Sequence, residues 1–130
     1  MTEYNFIIPG QPVAKGRPRV AIQGHRIHAY TPEKTRQYEC DAKIIIKQAM
    51  AGRPPLEGPV SVVIDARFKK PRSKKVLYPR IDIDNICKII LDSMNGIVVN
   101  DDSQVVSLFA AKAYSNDPCV VVNVRPVGKL

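Results

Sequence analysis

The apolar positions of the chain follow two periods. Residues 3–9, Glu-Tyr-Asn-Phe-Ile-Ile-Pro, begin with alternating character and carry aromatic and β-branched side chains, which predicts a first strand ending at Pro9. Val60–Phe68 is a β-branched run introduced by Gly58-Pro59 and reads as a second strand. Gln104–Tyr114 and Cys119–Arg125 read as two more, joined by the turn signal Ser115-Asn-Asp-Pro118. Helical spacing appears twice. Tyr38, Ala42, Ile45, Ile46 and Ala49 form a stripe that starts after Thr31-Pro32-Glu33, an N-cap, first position and first-turn acid, and stops at Gly52 with Pro54-Pro55. Ile86, Ile89, Ile90 and Met94 mark a second helix over 85–95, with Asp84 as its expected N-cap and Asn95-Gly96 as its stop. Arg19–Arg26 fits a short strand or hairpin turning at Gln23-Gly24. The order β, basic loop, helix, β, basic loop, helix, β, β predicts an α+β fold, a mixed α/β two-layer arrangement of about four strands with two main helices against them.

The 130 residues predict a single domain over 1–130, large enough for a real core. With 45% hydrophobic and 25% charged residues and no low-complexity tract, it is expected to fold unaided. No apolar run approaches the roughly 18 residues of a membrane span, and the first residues lack a signal peptide's order, so a cytoplasmic location without membrane contact is expected. Cys40, Cys87 and Cys119 are odd in number and widely spaced, which argues against a disulfide scaffold or a thiolate zinc site and predicts three small core residues. His25 and His28 match no zinc motif.

Charge changes the picture. The net charge is +8, which points to a polyanionic partner only through its distribution. Lys15, Arg17 and Arg19 recur every second residue in a Pro-stiffened segment, a spacing that sets all three on one side as a comb for a phosphate backbone. The loop Lys69–Arg80 holds Lys69, Lys70, Arg72, Lys74, Lys75 and Arg80 with no acid, and its composition predicts poor order without a ligand. The alternative for the Lys15–Arg19 segment is a solvated surface loop. Lys34, Arg36, Lys43 and Lys47 are expected on the wet face of the first helix.

Between the basic segments the sign inverts. Five of the twelve acids lie between positions 82 and 102. Carboxylates converging on one point repel unless a multivalent cation neutralises them. Asp82 and Asp84 are two apart before a helix, with Lys88 one turn beyond, and Asp101-Asp102 follow a helix that reverses the chain. The two clusters are therefore expected to meet at one end of the sheet. A carboxylate set without histidine or thiolate suits Mg²⁺ or Mn²⁺. Such an ion would hold a phosphodiester oxygen, lower the pKa of an attacking water and stabilise the leaving oxygen, with Lys88 as a fixed positive charge. An EF-hand fails, because Cys87 and Ser93 stand where Gly and Glu are required. The competing structural reading makes Asp84 a helix cap paired with Lys88, and Asp101-Asp102 a turn.

Asp82-x-Asp84-Asn85-x-x-Lys88, followed after a helix by Gly96-Ile-Val-Val-Asn-Asp101-Asp102-Ser-Gln104-Val, resembles the RusA family of Holliday-junction resolvases, crossover junction endodeoxyribonucleases often carried by phages and prophages. The early Lys15-x-Arg17-x-Arg19 is similar to the basic N-terminal segment of many members. The resemblance implies a homodimer that binds four-way DNA junctions and cuts two opposed strands with Mg²⁺ or Mn²⁺, in DNA recombination and repair. It implies Asp82, Asp84 and Asp102 as essential metal-binding carboxylates and Lys88 as the essential lysine, with either member of the Asp101-Asp102 pair able to face the metal. The alternatives are a non-catalytic nucleic-acid-binding module and a metal nuclease for other branched DNA.

Overall fold

The alternation at the N-terminus becomes strand β1 (Tyr4–Pro9), which buries Tyr4, Phe6 and Ile8 and exposes the residues between them. The computed structural model describes residues 3–15, 19–24, 26–30 and 33–128, with 19–23 and 26–30 described as backbone. After β1 come a hairpin of β2 (Arg19–Gln23) and β3 (Arg26–Tyr30), helix α1 (Glu33–Met50) and strand β4 (Val60–Lys69). Helix α2 (Ile83–Met94), a 3-10 turn (Asp102–Gln104), β5 (Val105–Ser115) and β6 (Cys119–Pro126) complete the order. The expected start of α1 at Thr31-Pro32 lies outside the described residues, as do Arg17 and His25 and the side chains of Arg19 and His28.

Four strands form one sheet in the order β1-β6-β4-β5, and the hairpin forms a two-stranded sheet of its own. β6 runs antiparallel to both β1 and β4, whereas β5 is parallel to β4. Parallel neighbours require a crossover, which the basic loop and α2 supply. The α+β arrangement of four strands and two helices is thus as expected.

Both helices pack on one face of the sheet. Val60, Val62, Ile64, Ala66 and Phe68 of β4 meet Ala42, Ile46 and Met50 of α1 and Ile86, Ile89, Ile90 and Met94 of α2 in a single core. The α2 stripe is the one its spacing predicts. That of α1 holds at Tyr38, Ala42, Ile45 and Ile46 and extends to the buried Thr35 and Met50, whereas Ala49 is exposed. Thr35 tolerates burial because its hydroxyl donates to the Ala14 carbonyl at 3.4 Å. Cys87 and Cys119 are core residues, but Cys40 is exposed, correcting the expectation for that position. It sits two residues before the buried Ala42, about 200° round the helix. No helix among the described residues is long and apolar enough to cross a membrane.

The hydroxyl of Tyr38 is buried with no hydrogen-bond partner among the described residues. Burial pushes this phenol up to about 12, and the neighbouring Cys119 thiolate adds to the shift. An unpaired buried hydroxyl costs about 1–3 kcal/mol, so Tyr38→Phe is expected to stabilise the fold by about 1 kcal/mol in urea titration. The proton has a pH signature. Above pH 10 the unfolded chain releases it and the folded chain retains it, so wild-type stability falls between pH 10 and about 12. The phenylalanine variant is expected to lack that component of the fall.

Candidate metal and nucleic-acid site

Loop 70–82 returns from the end of β4 and delivers the chain to the start of α2. Two side chains of β5 hold it there: Lys112 Nζ donates to the Ile81 carbonyl at 2.7 Å and Tyr114 Oη to that of Val76 at 3.1 Å. Lys69 N also donates to Gln11 Oε1 at 2.9 Å. The loop has no regular structure, as its composition predicts, yet it is tied at Val76 and Ile81, and at the end of β4 just before it, by contacts that composition does not reveal.

The helix begins two residues earlier than the apolar stripe suggests, at Ile83. Asp82, not Asp84, therefore occupies the N-cap position, in extended conformation and without a capping hydrogen bond from its side chain. Asp84 falls in the first turn, where Oδ1 accepts the Asn85 amide at 3.0 Å. Both side chains are exposed, and neither meets a cation in an ion pair among the described residues. The helix dipole favours anions at this end. Lys88 lies one turn on, but its partner is Asp92 at 3.4 Å, not the Asp84 of the structural reading.

Asp92 has a second cation. Lys15 Nζ stands 3.2 Å from Asp92 and 2.7 Å from Glu39, and the Lys15 amide donates to the Asn85 carbonyl at 2.9 Å. Its hydrogen bond to Glu39, aided by Asp92, holds the ammonium above its ordinary pKa despite partial burial. Lys15 thus anchors the N-terminal segment across α2 and is not held out as a tooth of a phosphate comb. Lys69, Lys70, Arg72, Lys74 and Lys75 are exposed and have no ion pair among the described residues. Arg80 is engaged differently, its guanidinium stacking on the Tyr78 ring 4.6 Å from the centroid. Asp92 and Lys112 went unnoticed in the sequence; the i,i+4 spacing of Lys88 and Asp92 was the available signal for the first, and none existed for the second.

The second acidic pair is built by Gln104. Its side-chain oxygen accepts the amides of Asn100 (2.8 Å) and Asp101 (3.0 Å), while its nitrogen donates to the carbonyls of Leu56 (2.9 Å) and Gly58 (2.8 Å). Asp101 reciprocates as the cap of the 3-10 turn, accepting the Ser103 amide at 3.0 Å. The hydroxyl of Ser103, and then its amide, hold the Asp101 carboxyl below the usual carboxylate range. The Asp102 side chain is exposed and has no hydrogen bond or ion pair among the described residues.

The two acidic pairs do not meet within one chain. β4 and β5 are parallel, so α2 must run the length of the sheet between them. Its 12 residues span about 18 Å. Asp82 and Asp84 lie at the end where Ile81 meets Lys112, whereas Asp101 and Asp102 precede Val105 at the other. The seven residue steps from Val105 to Lys112 cover about 23 Å. Consistent with this, no three acidic, histidine or cysteine side chains among the described residues stand close enough to share an ion. The expected convergence at one end of the sheet is therefore corrected: a helix that reverses the chain also carries it away. The α2 end still suits a hard cation. Mg²⁺ is commonly held by one or two carboxylates together with waters and substrate phosphates, and Asp82 and Asp84 are two oxygen donors without competing cations.

Residues 9–125 match the model of the endodeoxyribonuclease RusA family. An uncharacterised protein of Bacillus subtilis (strain 168), YqaN, is 34% identical over 138 aligned positions, which cover 94% of this chain and 95% of that protein.

Proposed function

Because the chain belongs to the RusA endodeoxyribonuclease family, we propose that it is a Holliday-junction resolvase. In this reading a homodimer cuts two opposed strands of a four-way DNA junction, with Mg²⁺ or Mn²⁺ as cofactor, in DNA recombination and repair. The observation that carries the reading is the meeting of two kinds of surface. The uncompensated carboxylates Asp82 and Asp84 lie at the end of α2 reached by the basic loop, whose cations Lys69, Lys70, Arg72, Lys74 and Lys75 are free to hold phosphates.

Asp82 and Asp84 would hold the divalent ion; Asp102, the unengaged member of its pair and the further ligand that the family resemblance implies, lies at the other end of the sheet of the same chain. When bound, the ion supplies Lewis acidity at the phosphodiester and lowers the pKa of the attacking water. Lys88, kept over the α2 surface by Asp92, sets a positive charge against the negative charge that develops on the phosphate oxygens. The loop cations position the flanking backbone.

The test is incubation of the protein with an end-labelled four-way junction and with a plain duplex of the same sequence. Paired, symmetry-related incisions are expected in Mg²⁺, none in EDTA, and cutting of the duplex at least about a hundredfold slower, equivalent to 2.7 kcal/mol of discrimination. Junction binding without cutting in either condition overturns the nuclease. It would favour the binding-module reading, which the separation of the acidic pairs within one chain also supports. Equal cutting of flaps and junctions would replace the four-way junction with branched DNA in general.

A further inference from the structure

Asp84, Lys88 and Asp92 follow one another at intervals of a turn and form one row along α2. Lys88 thus stands between two carboxylates. In the structure it faces the second: Lys88 Nζ donates to Asp92 Oδ1 at 3.4 Å, a long contact, and the Lys88 side chain stays 61% exposed. Asp92 has less freedom, with 22% of its side chain exposed and its other oxygen 3.2 Å from Lys15 Nζ. Lys15 is fastened independently, by Glu39 at 2.7 Å and through its amide on the Asn85 carbonyl.

We propose that Lys15 is a positioning residue for Lys88. It keeps Asp92 paired, so that Lys88 can leave Asp92 and swing toward the Asp84 end of the row when a phosphate arrives there. The inference rests on the metal-nuclease reading, in which Lys88 meets the charge developing on the phosphate. It goes beyond that reading by giving Lys88 a resting station on Asp92 and Lys15 a part in its release.

Two unequal costs carry the argument. A partly buried carboxylate that loses its only cation is strongly destabilised, whereas an exposed lysine gives up little when an ion pair opens. With Lys15 in place, Asp92 keeps a cation throughout, and the departure of Lys88 costs little. Without Lys15, Lys88 becomes the sole partner of Asp92 and is retained. Anchoring of the N-terminal segment is already supplied by Glu39 on α1 and the Asn85 carbonyl on α2. What the contact with Asp92 adds is a counter-charge for Asp92.

Steady-state cutting of a four-way junction in Mg²⁺ tests this in variants with wild-type far-ultraviolet circular dichroism. Lys15→Gln is expected to lower kcat about tenfold at unchanged KM, while Lys15→Arg stays within about twofold of wild type. Asp92→Asn should slow the wild type by no more than about threefold, yet bring the Lys15→Gln chain back to within about threefold of wild type, because an amide does not retain Lys88. That reversal of sign separates release from packing, since two purely structural losses would add. Additive losses, or a Lys15→Gln defect confined to KM or to stability in urea, overturn the proposal alone when Lys88→Gln is at least about a hundredfold slower than wild type. Lys88→Gln cutting at the wild-type rate, or a wild type that does not cut, overturns it together with the role of Lys88 in the nuclease reading.

Discussion

Asp84→Asn is expected to lower the rate of junction cutting by about a thousandfold and to leave junction binding intact or up to about fivefold tighter. Loss of one ligand to a divalent ion removes several kcal/mol of transition-state stabilisation, and each 1.36 kcal/mol is a factor of ten. Binding moves the other way because one negative charge near the phosphates disappears, worth up to about 1 kcal/mol at a wet surface. The fold is spared: the side chain is exposed, and its favourable position in the first turn is worth under about 1 kcal/mol. Gel retardation in EDTA and single-turnover cutting in Mg²⁺ read the two effects separately. A variant that cuts at the wild-type rate would remove Asp84 from the site.

Replacing Lys69, Lys70, Arg72, Lys74 and Lys75 together with glutamine should weaken junction binding by about three and a half decades at 0.15 M salt. The dependence of log K on log salt should flatten by about four and a half units. Each phosphate contact contributes about 0.9 to that slope, hence about 0.7 of a decade at this salt, and five contacts give about three and a half decades. Lys15→Gln should behave differently. Its charge is already matched by Glu39 and Asp92, so the loss should appear as lower stability of the packing between the N-terminal segment and α2, with little change in slope. Titrating affinity against salt for the two variants side by side makes the comparison. Equal slopes for both would mean that the loop cations do not carry the phosphate contacts.

The sequence shows the elements of this fold well and their arrangement poorly. The four strands and two helices were legible because each has a clear period, and the α2 stripe of Ile86, Ile89, Ile90 and Met94 is buried residue for residue. The α1 stripe is legible at Tyr38, Ala42, Ile45 and Ile46, all on the core side, and fails at Ala49, which is exposed while Met50 beside it is buried. Cys40 was misread because composition carries no angular information. The candidate site divides along the same line. Which residues hold charge could be read directly, and the unpaired state of Asp82, Asp84 and the loop lysines agrees with it. Where they stand could not, since the parallel pairing of β4 with β5 depends on contacts far apart in sequence. Spacing alone treats a helix as a return to the starting point, whereas in a crossover it is a displacement. The engagement of Lys15 by Glu39 is likewise a contact across 24 residues that no local pattern announces.

One consequence concerns motion. A single carboxamide, that of Gln104, ties residues 100 and 101 to the carbonyls of Leu56 and Gly58 more than forty positions away. Breathing of the turn before β4 and breathing of the acidic turn are therefore one event, and the amide protons of Asn100 and Asp101 should exchange with solvent deuterium slowly for groups so near the surface. A change at position 58, remote in the chain's order from Asp101 and Asp102, would be felt first as faster exchange at those two amides.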